Sequence, residues 1–262
     1  MNGAQDLSLF SMLMCAVLLL VPFAVFRYFK LGMTKDLLVS TLRMSVQLIL
    51  IGFFLEYLFR LNNWVVNLLW FLVMITVAVF SVISSSKLSP KHFFLPMLLA
   101  FVIANVFVVV YFNFFIVRLD SLFDAKYVIA IGGMILGNSL RSNVVGLGDF
   151  YQALKKDENQ YFYQLSLGAT KYEALLPYAK KSFVAAINPT IATMATMGVV
   201  SLPGMMTGQI LGGSVPLVAI KYQIAIMIAI LASSVLSILL SIFITTRSAI
   251  SRSGVLKKNL IK

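Results

Sequence analysis

The chain has 262 residues, of which 60% are hydrophobic and 11% charged, with a formal net charge of +12 and a mean hydropathy of +0.96. A water-soluble domain carries roughly 25% charged residues, so the composition excludes a soluble fold and describes an integral membrane protein. The single cysteine, Cys15, excludes an intrachain disulfide.

The first apolar run extends from Leu7 to Phe26, and its positive charges, Arg27 and Lys30, follow it instead of preceding it. That order reads as a retained helix with its N-terminus outside, not as a cleaved leader. Further runs of spanning length follow at Leu37 to Phe59, Trp64 to Ile83, Phe93 to Phe112, Tyr127 to Val145, Phe183 to Val200 and Tyr222 to Thr245. A span needs about 20 apolar residues. The expected architecture is therefore an all-α polytopic bundle of about seven spans, occupying residues 1–262 as a single domain.

Charge sets the expected orientation. Alternating the loops from an outside N-terminus puts Arg27, Lys30, Lys35, Lys87, Lys91, Arg141, Lys155, Lys156, Lys171, Lys180, Lys181, Arg247, Arg252, Lys257, Lys258 and Lys262 on the inner side. Only Arg60, Arg118 and Lys126 fall outside, a bias that predicts N-out, C-in topology in the cytoplasmic membrane. The excess of basic residues is then a topology signal, and no nucleic-acid partner is expected.

Two segments depart from plain spans. The longest inner loop, Gly146 to Ser182, mixes charged and helix-compatible apolar residues and reads as short helices lying along the membrane. Between the sixth and seventh spans, SLPGMMTGQILGGSVP (Ser201 to Pro216) is uncharged but interrupted by Pro203, Gly204, Gly208, Gly212 and Gly213. Irregular backbone or a re-entrant turn is expected there, and at membrane depth such backbone must be covered by protein or line a cavity.

Enzyme chemistry has little to work with. The lone histidine, His92, sits beside Lys91 at the inner end of the fourth span, where it reads as interfacial. No Gly-x-Ser-x-Gly elbow, His-Glu-x-x-His pair or Cys-x-x-Cys pair occurs. The chain also has no Gly-x-x-x-x-Gly-Lys-Ser/Thr loop, so ATP-driven work would require a separate ATPase.

Polar groups inside spans are costly and therefore informative. Asp36, Ser40, Arg43 and Gln47 share one helical face that should point into the bundle. They line a translocation path, or they form a buried pair that orients two helices. Glu56, about half a turn away from that face, attracts cations or is solvated. In the fifth span, IGGMILGNSLRSN carries Gly132, Gly133, Gly137, Asn138, Ser139 and Arg141, suited to close helix packing or to substrate contact. Asn188-Pro189 marks a bend in the sixth span. Met194, Met197, Met205 and Met206 gather in or after that span; they pack the core, or they bind a soft metal ion.

These residues together resemble the FetB-type permeases of ABC transporters assigned to iron export. The most specific stretch is GVVSLPGMMTGQILGGSVPLVAIKYQI, Gly198 to Ile224, with Tyr222-Gln223 at its end. Arg43 with Gln47-Leu48 and Gly52, Gly133-Met134 with Gly137-Asn138, LSLGAT at Leu165 to Thr170, and Asn188-Pro189-Thr190 extend the likeness over most of the chain from the second span onward.

The resemblance implies a permease homodimer docked on cytoplasmic ABC ATPase subunits that consume the ATP, with no cofactor held by this chain and a metal ion as cargo. A substrate path or gate is expected through Arg43, Gln47, Asn138, Pro203, Met205, Met206, Thr207 and Gln209. It also implies an ATPase-coupling turn at Leu167, Gly168, Ala169 and Thr170, within a coupling loop of about 146–182. In ABC importers an acidic-Ala-Ala triplet precedes the corresponding glycine, whereas Phe162-Tyr163-Gln164 stands there in this chain. Carboxylates are too sparse in the spans for an all-protein ferrous site, so the ion would move with retained water or a chelator, or bind at a dimer interface. An ion- or proton-coupled secondary transporter is the alternative from another class. It would show an internal repeat and a midplane acidic residue, and neither is visible.

Overall fold

The computed structural model describes residues 6–251 and 255, and of Leu9 the backbone only. Arg252, Lys257, Lys258 and Lys262, counted above with the inner cations, lie outside the described residues. The helices are α1 (Leu9–Val17), α2 (Leu20–Tyr28), α3 (Thr34–Leu61), α4 (Trp64–Ser85), α5 (Pro90–Tyr111, prolonged by a π-helical turn, Phe112–Val117), α6 (Ala125–Lys156), α7 (Glu158–Ser166), α8 (Lys171–Thr196), α9 (Gly204–Leu211) and α10 (Pro216–Ala249). No strand occurs among the described residues, and the expected all-α membrane architecture holds.

Among the described residues six helical stretches are long and apolar enough to cross a membrane: Phe10–Tyr28, which joins α1 and α2, Thr34–Leu61, Trp64–Ser85, Pro90–Val117, Ala125–Lys156 and Pro216–Ala249. About seven were expected, and α8 makes the difference. It starts at Lys171, not Phe183, and so carries Glu173, Lys180 and Lys181. Its uncharged part, from Ser182 to Thr196, falls short of the roughly 20 residues a span needs.

The chain forms two compact units, Met1–Leu61 with Gly208–Val215, and Asn62–Thr207 with Pro216–Lys262. In the first, Ser8 caps α1 by accepting from the Ser11 N–H. After α2, Gly32 takes a φ of +71° in the turn that leads into α3, a conformation glycine adopts without steric cost. Along α3 the hydroxyls of Thr41 and Ser45 donate to the Leu37 and Thr41 carbonyls.

In the second unit the hydrogen bonds between helices give the directions. Ser139 pairs with Ser233, Asn143 with Ser237 and Tyr151 with Thr245, each at a constant sequence separation of 94, so α6 and α10 run parallel. Between them, α8 runs back: Asp149 accepts from Ser182 at 2.8 Å, and a Cβ on Gly146 would stand 3.2 Å from Ala186 Cβ. Likewise α5 is antiparallel to α10, with Asn105 Oδ1 bonded to Ser233 and the His92 carbonyl to Ser248.

Ser233 donates to Asn105, which leaves Ser139 to donate to Ser233. The small hydroxyls let the helices approach closely while these bonds cross the contact. Around this polar ladder pack Phe71, Ile75, Phe93, Met97, Phe101, Ile135, Leu147, Phe150 and Ile226, all essentially inaccessible.

At about 1.5 Å per residue, the 32 residues of α6 and the 34 of α10 reach about 48 and 51 Å. A hydrocarbon core of about 30 Å cannot contain them. The directions above gather their far ends with Lys87, Lys91, Lys155, Lys156, Lys171 and Arg247, while Arg118 and Lys126 fall at the opposite end. The predicted inner loop is therefore mostly helix: α6 continues through it to Lys156, α7 is a short separate piece, and α8 has begun by Lys171. Arg141, counted with the inner cations, sits midway along α6 instead.

Candidate functional site

A cavity of about 480 Å³ opens within the second unit between α6, α8, α10 and the start of α9. Met134, Asn138, Arg141 and Val145 line it from α6. Their spacing of four, three and four puts them on one helical face. Ala186, Pro189, Thr190, Thr193 and Met197 come from α8, Gln223, Ile226, Met227 and Ile230 from α10, and Pro203, Gly204 and Met205 from the glycine-rich segment. Pro189 has no N–H to offer the preceding turn, and its own carbonyl accepts from Thr193 Oγ1 at 2.9 Å.

Expected irregular backbone at residues 201–216 proves to be a short helix between two breaks. Gly198, at φ +88°, and Pro203 separate α8 from α9, and Gly213, at φ +95°, ends α9. The Gly213 and Ser214 N–H groups donate back to the Ile210 and Gln209 carbonyls, closing the helix.

Of the residues expected on a substrate path, Asn138, Pro203 and Met205 line this cavity. Met206 is buried beside them in sequence, and Thr207 bonds back to the Pro203 carbonyl at 3.1 Å. Gln209 belongs to the first unit, as do Arg43 and Gln47, whose side chains are exposed on α3. Glu56 pairs with Arg60 at 2.6 Å on the exposed surface of α3, which accounts for its charge. Ser142, Thr190, Thr193 and Gln223 were not expected as site residues, although Asn188-Pro189-Thr190 and Tyr222-Gln223 stood in the resemblance. Among the described residues no group of three or more His, Cys, Asp or Glu could hold a metal ion.

The predicted coupling turn lies between α7 and α8. Gly168 has a φ of +92°, and the Gly168 and Ala169 N–H groups donate to the Leu165 and Gln164 carbonyls, finishing α7. Thr170 then starts α8 through a reciprocal capping box with Glu173. Tyr163, Leu167 and Tyr172 project outward at 64%, 69% and 69% exposure. The turn is tied down by Lys171, whose ammonium donates to the Ser251 carbonyl at 2.6 Å, and by buried Tyr161. One continuous helix, α8, therefore joins this exposed turn to the cavity wall.

The hydrogen bonds from Thr170 hold the Glu173 carboxyl below its ordinary value of 4.5. A lowered carboxyl pKa means that its stabilisation is present above the ordinary value and lost as pH falls through the folded one. Glu173→Ala should thus lower hydrogen-exchange protection in the first turn of α8 at neutral pH. That difference from wild type should vanish once the medium is acidic enough to protonate Glu173, and a difference independent of pH would remove the carboxylate from the cap.

Comparison with known proteins agrees with this architecture. The chain is 32% identical to the "Probable iron export permease protein FetB" of Escherichia coli over 90% of each chain. It is 31% identical to the "UPF0014 membrane protein YjkA" of Bacillus subtilis over 95% of this chain and 98% of that one. With the "Protein ALUMINUM SENSITIVE 3" of Arabidopsis thaliana it shares 31% identity over 82% of this chain and 77% of that one. No solved structure matches it. The model of the uncharacterised protein family UPF0014 matches residues 9–250, and the chain belongs to that family of membrane proteins.

Proposed function

We propose that this chain is the membrane-spanning permease subunit of an ABC transporter in the cytoplasmic membrane. It exports iron or a related metal species with ATP hydrolysed by a separate subunit, and it works as a homodimer. The observation that carries this reading is the continuity of α8, which starts at an exposed turn bearing Tyr163, Leu167 and Tyr172 and ends as a wall of the cavity. A push on that turn by a closing ATPase is transmitted along α8 to the site. The E. coli relative named as a probable iron export permease supports the substrate class.

The path then runs past Asn138, Pro203, Met205, Met206 and Thr207. The expected result is co-purification with an ATPase that carries a phosphate loop and no spans, and ATP hydrolysis stimulated by iron in liposomes. Asn138→Ala and Met205→Ala should each lower that stimulation about tenfold, the effect of about 1.4 kcal/mol at a contact made by the moving substrate. Wild-type stimulation in both folded variants removes them from the path. Transport driven by a proton gradient without any ATPase contradicts the ABC assignment.

A further inference from the structure

The cavity's chemistry points to the form in which its cargo arrives. Arg141 is the one ionisable side chain among the residues that line it, and the guanidinium has no ion pair among the described residues. Ser142 is 4% exposed and lines the cavity, and its hydroxyl makes no hydrogen bond among the described residues. Gln223 is 7% exposed, and its amide nitrogen reaches only the Met197 sulfur at 3.8 Å, a weak acceptor. A guanidinium, a hydroxyl and an amide N–H are all hydrogen-bond donors.

A bare divalent cation meets repulsion here. The cavity offers it only neutral amide and hydroxyl oxygens, with no carboxylate, imidazole or thiolate to replace its hydration shell, and the unpaired guanidinium opposes it. A carboxylate complex meets the reverse, since Arg141 offers the paired N–H geometry that carboxylates take up. Size agrees as well. About 480 Å³ lies in the range of sites for small organic ligands and far exceeds one ion.

We propose that the cavity binds metal as an anionic carboxylate chelate, with Arg141 as the charge partner and Ser142 and Gln223 as donors. This rests on the metal-export reading above and specifies its substrate. Met134, Met197, Met205 and Met227 supply much of the apolar wall against the carbon skeleton of the chelator.

The test uses the full-length chain in lipid nanodiscs with radioactive iron, presented either as ferrous ion under ascorbate or as ferric iron in excess citrate. Wild type should retain the citrate complex at least tenfold more tightly than the ferrous ion. Arg141→Gln should weaken retention of the complex about 10- to 100-fold, the range of a charge-assisted hydrogen bond, and Arg141→Lys should weaken it less. Gln223→Glu, nearly isosteric, keeps the test decisive if Arg141→Gln does not fold: a carboxylate there should weaken the complex and strengthen the ferrous ion. Ferrous ion bound as tightly as the complex, no retention of the complex, or an unchanged preference in Gln223→Glu overturns the proposal. Iron-stimulated ATP hydrolysis separates this from the parent reading. Stimulation by ferrous ion alone sinks the chelate and keeps export; stimulation by neither form removes iron export itself.

Discussion

Gly168→Pro should uncouple transport from ATP hydrolysis, lowering substrate-stimulated transport to background while the partner ATPase still hydrolyses ATP. The backbone at Gly168 has a φ of +92°, whereas proline is fixed near −65°, so the native turn is closed to it. Proline also removes the N–H that donates to the Leu165 carbonyl at 3.1 Å. A Cβ there would meet nothing within 4 Å, so the damage is confined to the backbone and leaves packing elsewhere intact. Gly168→Ala serves as the graded control: strained at this φ by about 1–2 kcal/mol but still able to donate, it should retain part of the coupling. Full transport in Gly168→Pro would mean that this turn is not the coupler.

Gly146→Leu should have the largest effect on stability. At this position α6, α8 and α10 meet, and a Cβ would already stand 3.2 Å from Ala186 Cβ and 3.5 and 3.7 Å from two carbons of Ile238. Ala186 and Ile238 are themselves buried, so the leucine side chain has no room unless α8 moves away from α6. Overpacking of this kind costs about 3 kcal/mol, and the displaced α8 is also the cavity wall. Thermal unfolding in detergent should show a large loss of stability, with Gly146→Ala showing a smaller loss of the same sign. A leucine variant that melts with the wild-type protein would contradict the close approach of these helices.

The long apolar runs of α3, α4, α5 and α10 were legible because hydrocarbon leaves a chain few options other than helices. Helix ends were harder to read, since charge counting treats a cation as a loop marker. Arg141 counts as an inner-face charge on that ground, although it lies at mid-helix, and Lys180 and Lys181 mask the much earlier start of α8. Pro203, Gly204, Gly212 and Gly213 were read as irregular backbone, yet they punctuate α9, with Pro203 and Gly204 at its start and the other two at its stop.

The polar ladder has a signal in the sequence. Ser233, Ser237 and Ser241 recur every fourth residue in α10, and Ser139 and Asn143 are spaced the same way in α6. Such spacing in a span marks a face that approaches another helix. Which helix it approaches depends on the fold, and that could not be read from spacing alone. The cavity was half visible for the same reason: Asn138, Pro203 and Met205 stood out by type, while Gln223 and Thr193 acquire meaning only when α8 and α10 are brought together.

The most direct test of the permease reading is iron movement in liposomes holding this chain, its partner ATPase and internal or external ATP. With the ATPase face outward and ATP outside, iron presented outside should accumulate in the lumen, and accumulation should stop with a non-hydrolysable nucleotide or when the ATPase is omitted. Equal iron movement with and without ATP hydrolysis would contradict an ATP-driven permease.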